Sequence, residues 1–160
     1  TDLPVCSLRK SRSHKTMKEL ASWSKNSKGW FYGLKLHLSA DLEGRFVGLR
    51  FTTGKAGDRE VFKTMNKDLR GIFVADAGYV SEKLEREFHI EKERMLLTCS
   101  RSNMKKVSTF DGIELLKTRM RIEDNFGNLK EYHNLVSTAC RSVQGYLVNY
   151  LSAVFAYMIV

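Results

Sequence analysis

Between residues 30 and 38 the side chains alternate in character. Tyr32, Leu34, Leu36 and Leu38 fall on one face of an extended chain, and Gly33, Lys35 and His37 on the other. A period of two marks a half-buried strand. Asp41-Leu42-Glu43-Gly44 reads as a turn, and Arg45 to Thr53 as the returning strand of a hairpin. Residues 54–57 break the pattern, and Asp58 is placed to cap a helix running to about Leu69. Gly71 to Ala75 is a short apolar run, as expected of a strand covered on both faces. Ser81 starts a charged helix ending near His89, and Arg94 to Thr98 reads as another strand. A polar loop, Ser100 to Ser108, leads into a long helix from Gly112 to Tyr132. An apolar helix from Ser142 closes the chain.

Two stretches lack this clarity. Residues 1–6 look like the second half of a strand, which suggests a chain that starts part-way through its fold. Residues 9–29 are rich in Lys, Arg and Ser and read as an exposed excursion with one short helical turn. The order of hairpin, helix, strand, helix, strand, helix predicts an α/β fold. Its mixed sheet would be antiparallel first and parallel after, with flanking helices.

At 160 residues the length prior predicts one domain over 1–160. Lysine and arginine total 27 against 18 acids, a net +9. Such an excess attracts polyanions, with nucleic acid ahead of an anionic membrane surface. The apolar end of the chain is interrupted by Asn149 and Ser152 and falls short of the roughly 20 residues a membrane span needs. Cys6, Cys99 and Cys140 show no metal or Cys-x-x-Cys spacing, and so read as reduced cysteines of a cytosolic protein. His14, His89 and His133 have no ligand spacing either and read as surface or loop residues.

Asp76 closes the 71–75 run. In open α/β sheets ligands bind beyond the carboxyl ends of strands, where a carboxylate reaches solvent from a rigid backbone. On the long helix, Arg119, Glu123, Phe126 and Lys130 are spaced 4, 3 and 4 apart and share a face, beside an apolar stripe of Leu115, Ile122 and Leu129. Glu123 thus sits at the margin of the core with a cation one turn away. Two such acids brought together suit a hard divalent cation, leaving Arg119 and Lys130 for phosphate oxygens. Lys35 and His37 share a strand face that could look toward the same site. Arg12 and Lys15 lie in a segment able to track a phosphate backbone, with Trp23 and Trp30 able to stack on unpaired bases.

Four stretches carry a resemblance: Thr1 to Cys6, Gly29 to Leu38, Asp76-Ala77-Gly78-Tyr79, and the helix with Arg119, Glu123 and Lys130. Together the chain resembles the catalytic core of bacterial insertion-sequence transposases of the DDE type. The last stretch is similar to their motif Tyr-x2-Arg-x3-Glu-x6-Lys. The resemblance implies a ribonuclease-H-like fold, with Asp76 and Glu123 as catalytic, metal-holding acids. Arg119, Lys130, Lys35, His37, Arg12 and Lys15 become DNA contacts. It further implies two Mg²⁺ ions about 4 Å apart, for which Mn²⁺ may substitute, working on transposon ends and target DNA. A homo-oligomer, no membrane and a nucleoid-associated cytoplasmic location follow from the same likeness.

Two departures stand out. Leu116 replaces the motif's tyrosine, and the first aspartate of Asp-Ser-Thr has no counterpart, since Thr1 aligns with its third residue. Asp2, offset by three, would point to the other strand face. The expectation is therefore a weakly cutting core. The alternatives are a DNA-binding remnant without catalysis, or a ribonuclease-H-like nuclease that cuts without joining.

Overall fold

The computed structural model describes residues 1–90, 93–98 and 110–159. Its centre is β3 (Gly29–Ala40), the alternating strand, which pairs antiparallel with three others. β1 (Asp2–Pro4) lies on one edge, with Leu3 opposite Leu34. β2 (Ser22–Asn26) and β4 (Phe46–Thr53) share the other edge in tandem, opposite residues 29–33 and 34–40. β5 (Gly71–Ala75) and β6 (Arg94–Thr98) form a parallel pair with Gly71 opposite Arg94. The helices are α1 (Asp58–Met65), α2 (Glu82–Ile90), α3 (Phe110–Lys117), α4 (Met120–Glu131) and α5 (Val143–Ile159).

The α/β class and the element order match the sequence reading, but the single mixed sheet does not. Among the described residues the antiparallel strands and the parallel pair are two separate sheets. β1 has only three residues and ends on Pro4, which lacks an amide hydrogen, so it has little to offer a second neighbour.

Two apolar clusters correspond to the two sheets. The larger joins Leu3, Val5, Leu34 and Leu36 to Leu129 of α4 and to Tyr146, Tyr150 and Val154 of α5. The smaller joins Ala75 and Leu96 to Leu84 and Phe88 of α2, with Phe62, Phe73 and Tyr79 packed against it. α1 bridges them. Phe62 meets Phe73, Tyr79 and Phe88 at 5.8, 5.3 and 5.1 Å between ring centroids. Asn66, just past the end of α1, accepts a hydrogen bond from Ser39 of β3 at 2.8 Å.

Several local expectations are corrected. Asp58 is the first residue of α1, not its cap, which is Gly57. α1 stops at Met65, where the buried Asn66 turns its amide back onto the Phe62 carbonyl at 2.9 Å. β5 is not covered on both faces, since Ile72 is 55% exposed. The long helix is two. Thr118 donates its hydroxyl to the Leu115 carbonyl at 2.6 Å, and the chain tightens through i→i+3 bonds before α4 begins. Residues 9–29 contain β2 as well as turns. His14 is partly buried between the rings of Tyr32 and Tyr146 and is not a surface residue. Cys6 and Cys140 are free thiols, while Cys99 and the Ser100–Ser108 loop lie outside the described residues. No described helix is long and apolar enough to cross a membrane.

Gly33 of β3 lies directly against the backbone of β1. A Cβ there would stand 2.1 Å from the Leu3 carbonyl oxygen, a backbone atom with no freedom to yield. Gly33→Ala is expected to lower unfolding free energy by about 3 kcal/mol or more, measured by urea denaturation. A loss under about 1 kcal/mol would show that the docking of β1 is not tight.

Candidate active site

Asp76 follows β5 directly and caps a single 3-10 turn, Ala77–Tyr79. Its Oδ1 accepts the Ala77 amide at 2.7 Å. The turn is braced from α1, where Arg59 donates to the carbonyls of Gly78 at 3.1 Å and Val80 at 2.9 Å. Tyr79 packs on Phe62. Burial, with the nearby charges of Asp58 and Asp76, pushes its hydroxyl pKa up to about 12. The Asp76 side chain is 65% exposed, a reachable carboxylate on a fixed backbone.

Glu123 lies in the first turn of α4. That helix is anchored by the buried Asn125, which donates to the Gly44 carbonyl at 3.1 Å and accepts from the Tyr157 hydroxyl at 2.7 Å. Leu129 fixes the following turn in the core. The Arg119 Nη1 contacts Glu123 Oε1 at 2.5 Å and Asp76 Oδ1 at 3.7 Å. Because both contacts share one nitrogen, the two carboxylate oxygens lie within about 6 Å of each other. The acids that the sequence singles out separately converge on a single guanidinium.

The other candidate cations divide into two sets. Lys130 donates to Asp2 Oδ1 at 3.1 Å, and Lys35 to Asp58 Oδ1 at 2.9 Å and the Ala56 carbonyl at 3.2 Å. Burial opposes ionisation of Asp2, but the hydrogen bond and charge of Lys130 outweigh it and hold the carboxyl below its usual range. Asp2 sits opposite Lys35 in the β1–β3 ladder and so shares the face of Lys35 and His37. His37 is 8% exposed, with Nε2 2.8 Å from the Thr52 hydroxyl. Arg12 and Lys15 are exposed and far less engaged.

Among the described residues no three His, Cys, Asp or Glu side chains are grouped to hold a metal. Asp76 and Glu123 are the two carboxylates that could offer oxygens to a divalent ion, with the Arg119 guanidinium in contact with both. The anchoring by Asn125 was not anticipated from sequence, since nothing local marks a helical Asn as a tertiary partner; Arg59, read from the sequence as half of an Asp58-Arg59 ion pair that could act near the site, braces the Asp76 turn instead. A family model described as a transposase DDE domain matches residues 1–143, and the chain belongs to that family. The family acts in DNA transposition on DNA substrates and uses divalent metal ions. No curated protein and no solved structure matches the chain.

Burial holds the His37 pKa down to about 4, against an unfolded value near 6.5. The folded state therefore resists the proton that the unfolded chain accepts. This contribution is complete above pH 6.5 and is lost progressively as pH falls toward 4. Unfolding free energy is expected to drop by about 2–3 kcal/mol over that window, read from urea midpoints at stepped pH. His37→Gln should flatten the slope there, and an unchanged slope would overturn the assignment.

Proposed function

We propose that Asp76 and Glu123 are acid ligands of a divalent cation, Mg²⁺ or Mn²⁺, in a ribonuclease-H-like core that cleaves DNA at insertion-sequence ends and joins it to target DNA. The reading is carried by the convergence of a strand-end carboxylate and a helix carboxylate on one cation, within about 6 Å. It is supported by the order of elements, with an antiparallel hairpin preceding the parallel pair whose first strand ends in Asp76. A bound divalent ion would supply Lewis-acid stabilisation of phosphoryl oxygens.

The chain's own residues do the positioning. The Ala77 amide and the Arg59 brace keep Asp76 facing α4. Asn125 and Leu129 keep Glu123 facing β5. Arg119 offsets one of the acid pair's two charges, and once released its planar fork suits a phosphate bidentately. Lys35 and Lys130 hold Asp58 and Asp2 as neutral pairs beside the site, so that uncompensated acids do not repel a polyanion.

A second reading, a DNA-binding chain without catalysis, is favoured by one observation: no third acid joins the pair among the described residues. The two readings separate on supercoiled plasmid. Metal-dependent nicking that falls at least about 100-fold in Asp76→Asn and in Glu123→Gln supports the enzyme. Nicking that persists in both variants defeats the site, and plasmid binding in EDTA without nicking under either metal supports the second reading.

Arg119 and a divalent ion compete for the same two acids. Arg119→Gln is accordingly expected to tighten Mn²⁺ binding by about two- to fivefold in calorimetric titration, the modest size reflecting the exposure of both carboxylates. Weaker binding in this variant would show that the guanidinium does not occupy the ion's position.

A further inference from the structure

We propose that the β2–β3 hairpin is a second nucleic-acid contact, separate from the acid pair and suited to unpaired bases. It takes only the choice of nucleic acid as polyanion from the function proposed above. Trp23 is 43% exposed and Trp30 59%, and neither belongs to either apolar cluster. Two indoles left in solvent forgo the burial that large aromatic side chains usually gain.

They are arranged together. Trp23 stands opposite Tyr32 in the ladder and Lys25 opposite Trp30, so the four share one face of the hairpin. Trp23 meets Trp30 edge-on at 6.4 Å and tilts onto Tyr32 at 5.7 Å. The Lys25 ammonium lies 5.9 Å from the Trp30 ring centre. By alternation along β3, this face is opposite the one bearing Lys35 and His37.

The surrounding charge selects the partner. Residues 9–28 carry Arg9, Lys10, Arg12, Lys15, Lys18, Lys25 and Lys28 against the single acid Glu19. All seven cations are exposed, and none pairs with an acid among the described residues. Elsewhere Lys35, Arg45, Lys63, Arg119 and Lys130 are all tied to carboxylates. An unneutralised basic segment leading into exposed indoles, with Lys25 over one of them, matches a strand with phosphates along its length and free base faces. Duplex DNA supplies the phosphates but keeps its base faces stacked, so it satisfies only half of the surface.

Trp23 and Trp30 are the chain's two tryptophans, so selectively excited tryptophan emission reports on this hairpin alone. The full chain is titrated in EDTA with a labelled oligothymidylate of about 15 nucleotides, the matching duplex, heparin, and vesicles of about one quarter phosphatidylserine. Oligothymidylate is expected to quench the tryptophans, with heparin and vesicles quenching little. By anisotropy, Trp23→Ala/Trp30→Ala should weaken oligothymidylate about tenfold or more and duplex less than about threefold. Trp30→Phe should retain most of the affinity, with circular dichroism confirming that each variant folds. Equal quenching by heparin or by vesicles, or unchanged oligothymidylate affinity in the double variant, overturns the proposal. Because no metal is present, these outcomes are independent of whether Asp76 and Glu123 prove catalytic.

Discussion

One guanidinium spans the seam between two separately packed apolar clusters. Asp76 belongs to the smaller, through Ala75 and Tyr79, and Glu123 rides on a helix whose Leu129 belongs to the larger. Arg119 touches both acids, yet it is too weak to be what aligns them. A solvent-facing i,i+4 pair contributes about 0.3–0.5 kcal/mol, and the longer contact to Asp76 less. Each ring contact that Phe62 makes with Phe73, Tyr79 and Phe88 adds about 0.5–1.5 kcal/mol beyond its buried area. α1 also reaches the antiparallel sheet, where Arg50 donates to Thr64 at 2.7 Å and Ser39 to Asn66. The packing of α1 therefore sets the seam, and the guanidinium settles into the position that the packing creates.

The same weighing sorts the basic residues. Lys130 with Asp2 and Lys35 with Asp58 are pairs in which at least one partner is mostly out of water. Losing one member would strand a charge in a poorly solvated place, so these lysines are committed to holding β1 to α4 and α1 to β3. They shape the surroundings of the acid pair but have little charge left for phosphate. The cations of residues 9–28 have no such commitment, and their attraction to a polyanion is undiminished by internal partners. On the proposal made for the β2–β3 hairpin, this division would put the salt-sensitive part of nucleic-acid binding there and not beside the carboxylates.

Much of the scaffold was legible in the sequence because its signals are local. Alternation exposed β3, the apolar runs exposed β5 and β6, and Ser81 marked the start of α2, where it accepts the Leu84 amide. β2 escaped notice because Ser-Trp-Ser-Lys-Asn carries one large apolar residue, and its extended form is imposed by the partner strand. The break between α3 and α4 depends on which carbonyl the Thr118 hydroxyl chooses, which helical periodicity does not encode. At the site, the i,i+4 contact of Arg119 with Glu123 was readable from spacing. The contact of Arg119 with Asp76, and that of Lys130 with Asp2 across 128 residues, was not, because each joins elements far apart in the chain that meet only in the folded molecule.

Arg119 bears on the proposed chemistry through the sign of the local charge. An exposed guanidinium pairs only weakly with carboxylates, so a divalent ion would compete for the acids without expelling Arg119 from their neighbourhood. With Arg119 in place, two carboxylates and one guanidinium leave the pocket formally negative, which disfavours a phosphodiester. When a divalent ion takes the acids and Arg119 remains within reach, the same residues present a net positive pocket. Lys35 and Lys130 are already neutralised and contribute nothing to this reversal. The attraction for a phosphate at the acid pair thus depends on the exchange at Arg119, whereas attraction at the hairpin is permanent. On the two proposals above, the chain would engage a nucleic acid first through its basic segment and admit phosphate to the acids only once a divalent ion had displaced Arg119 from them.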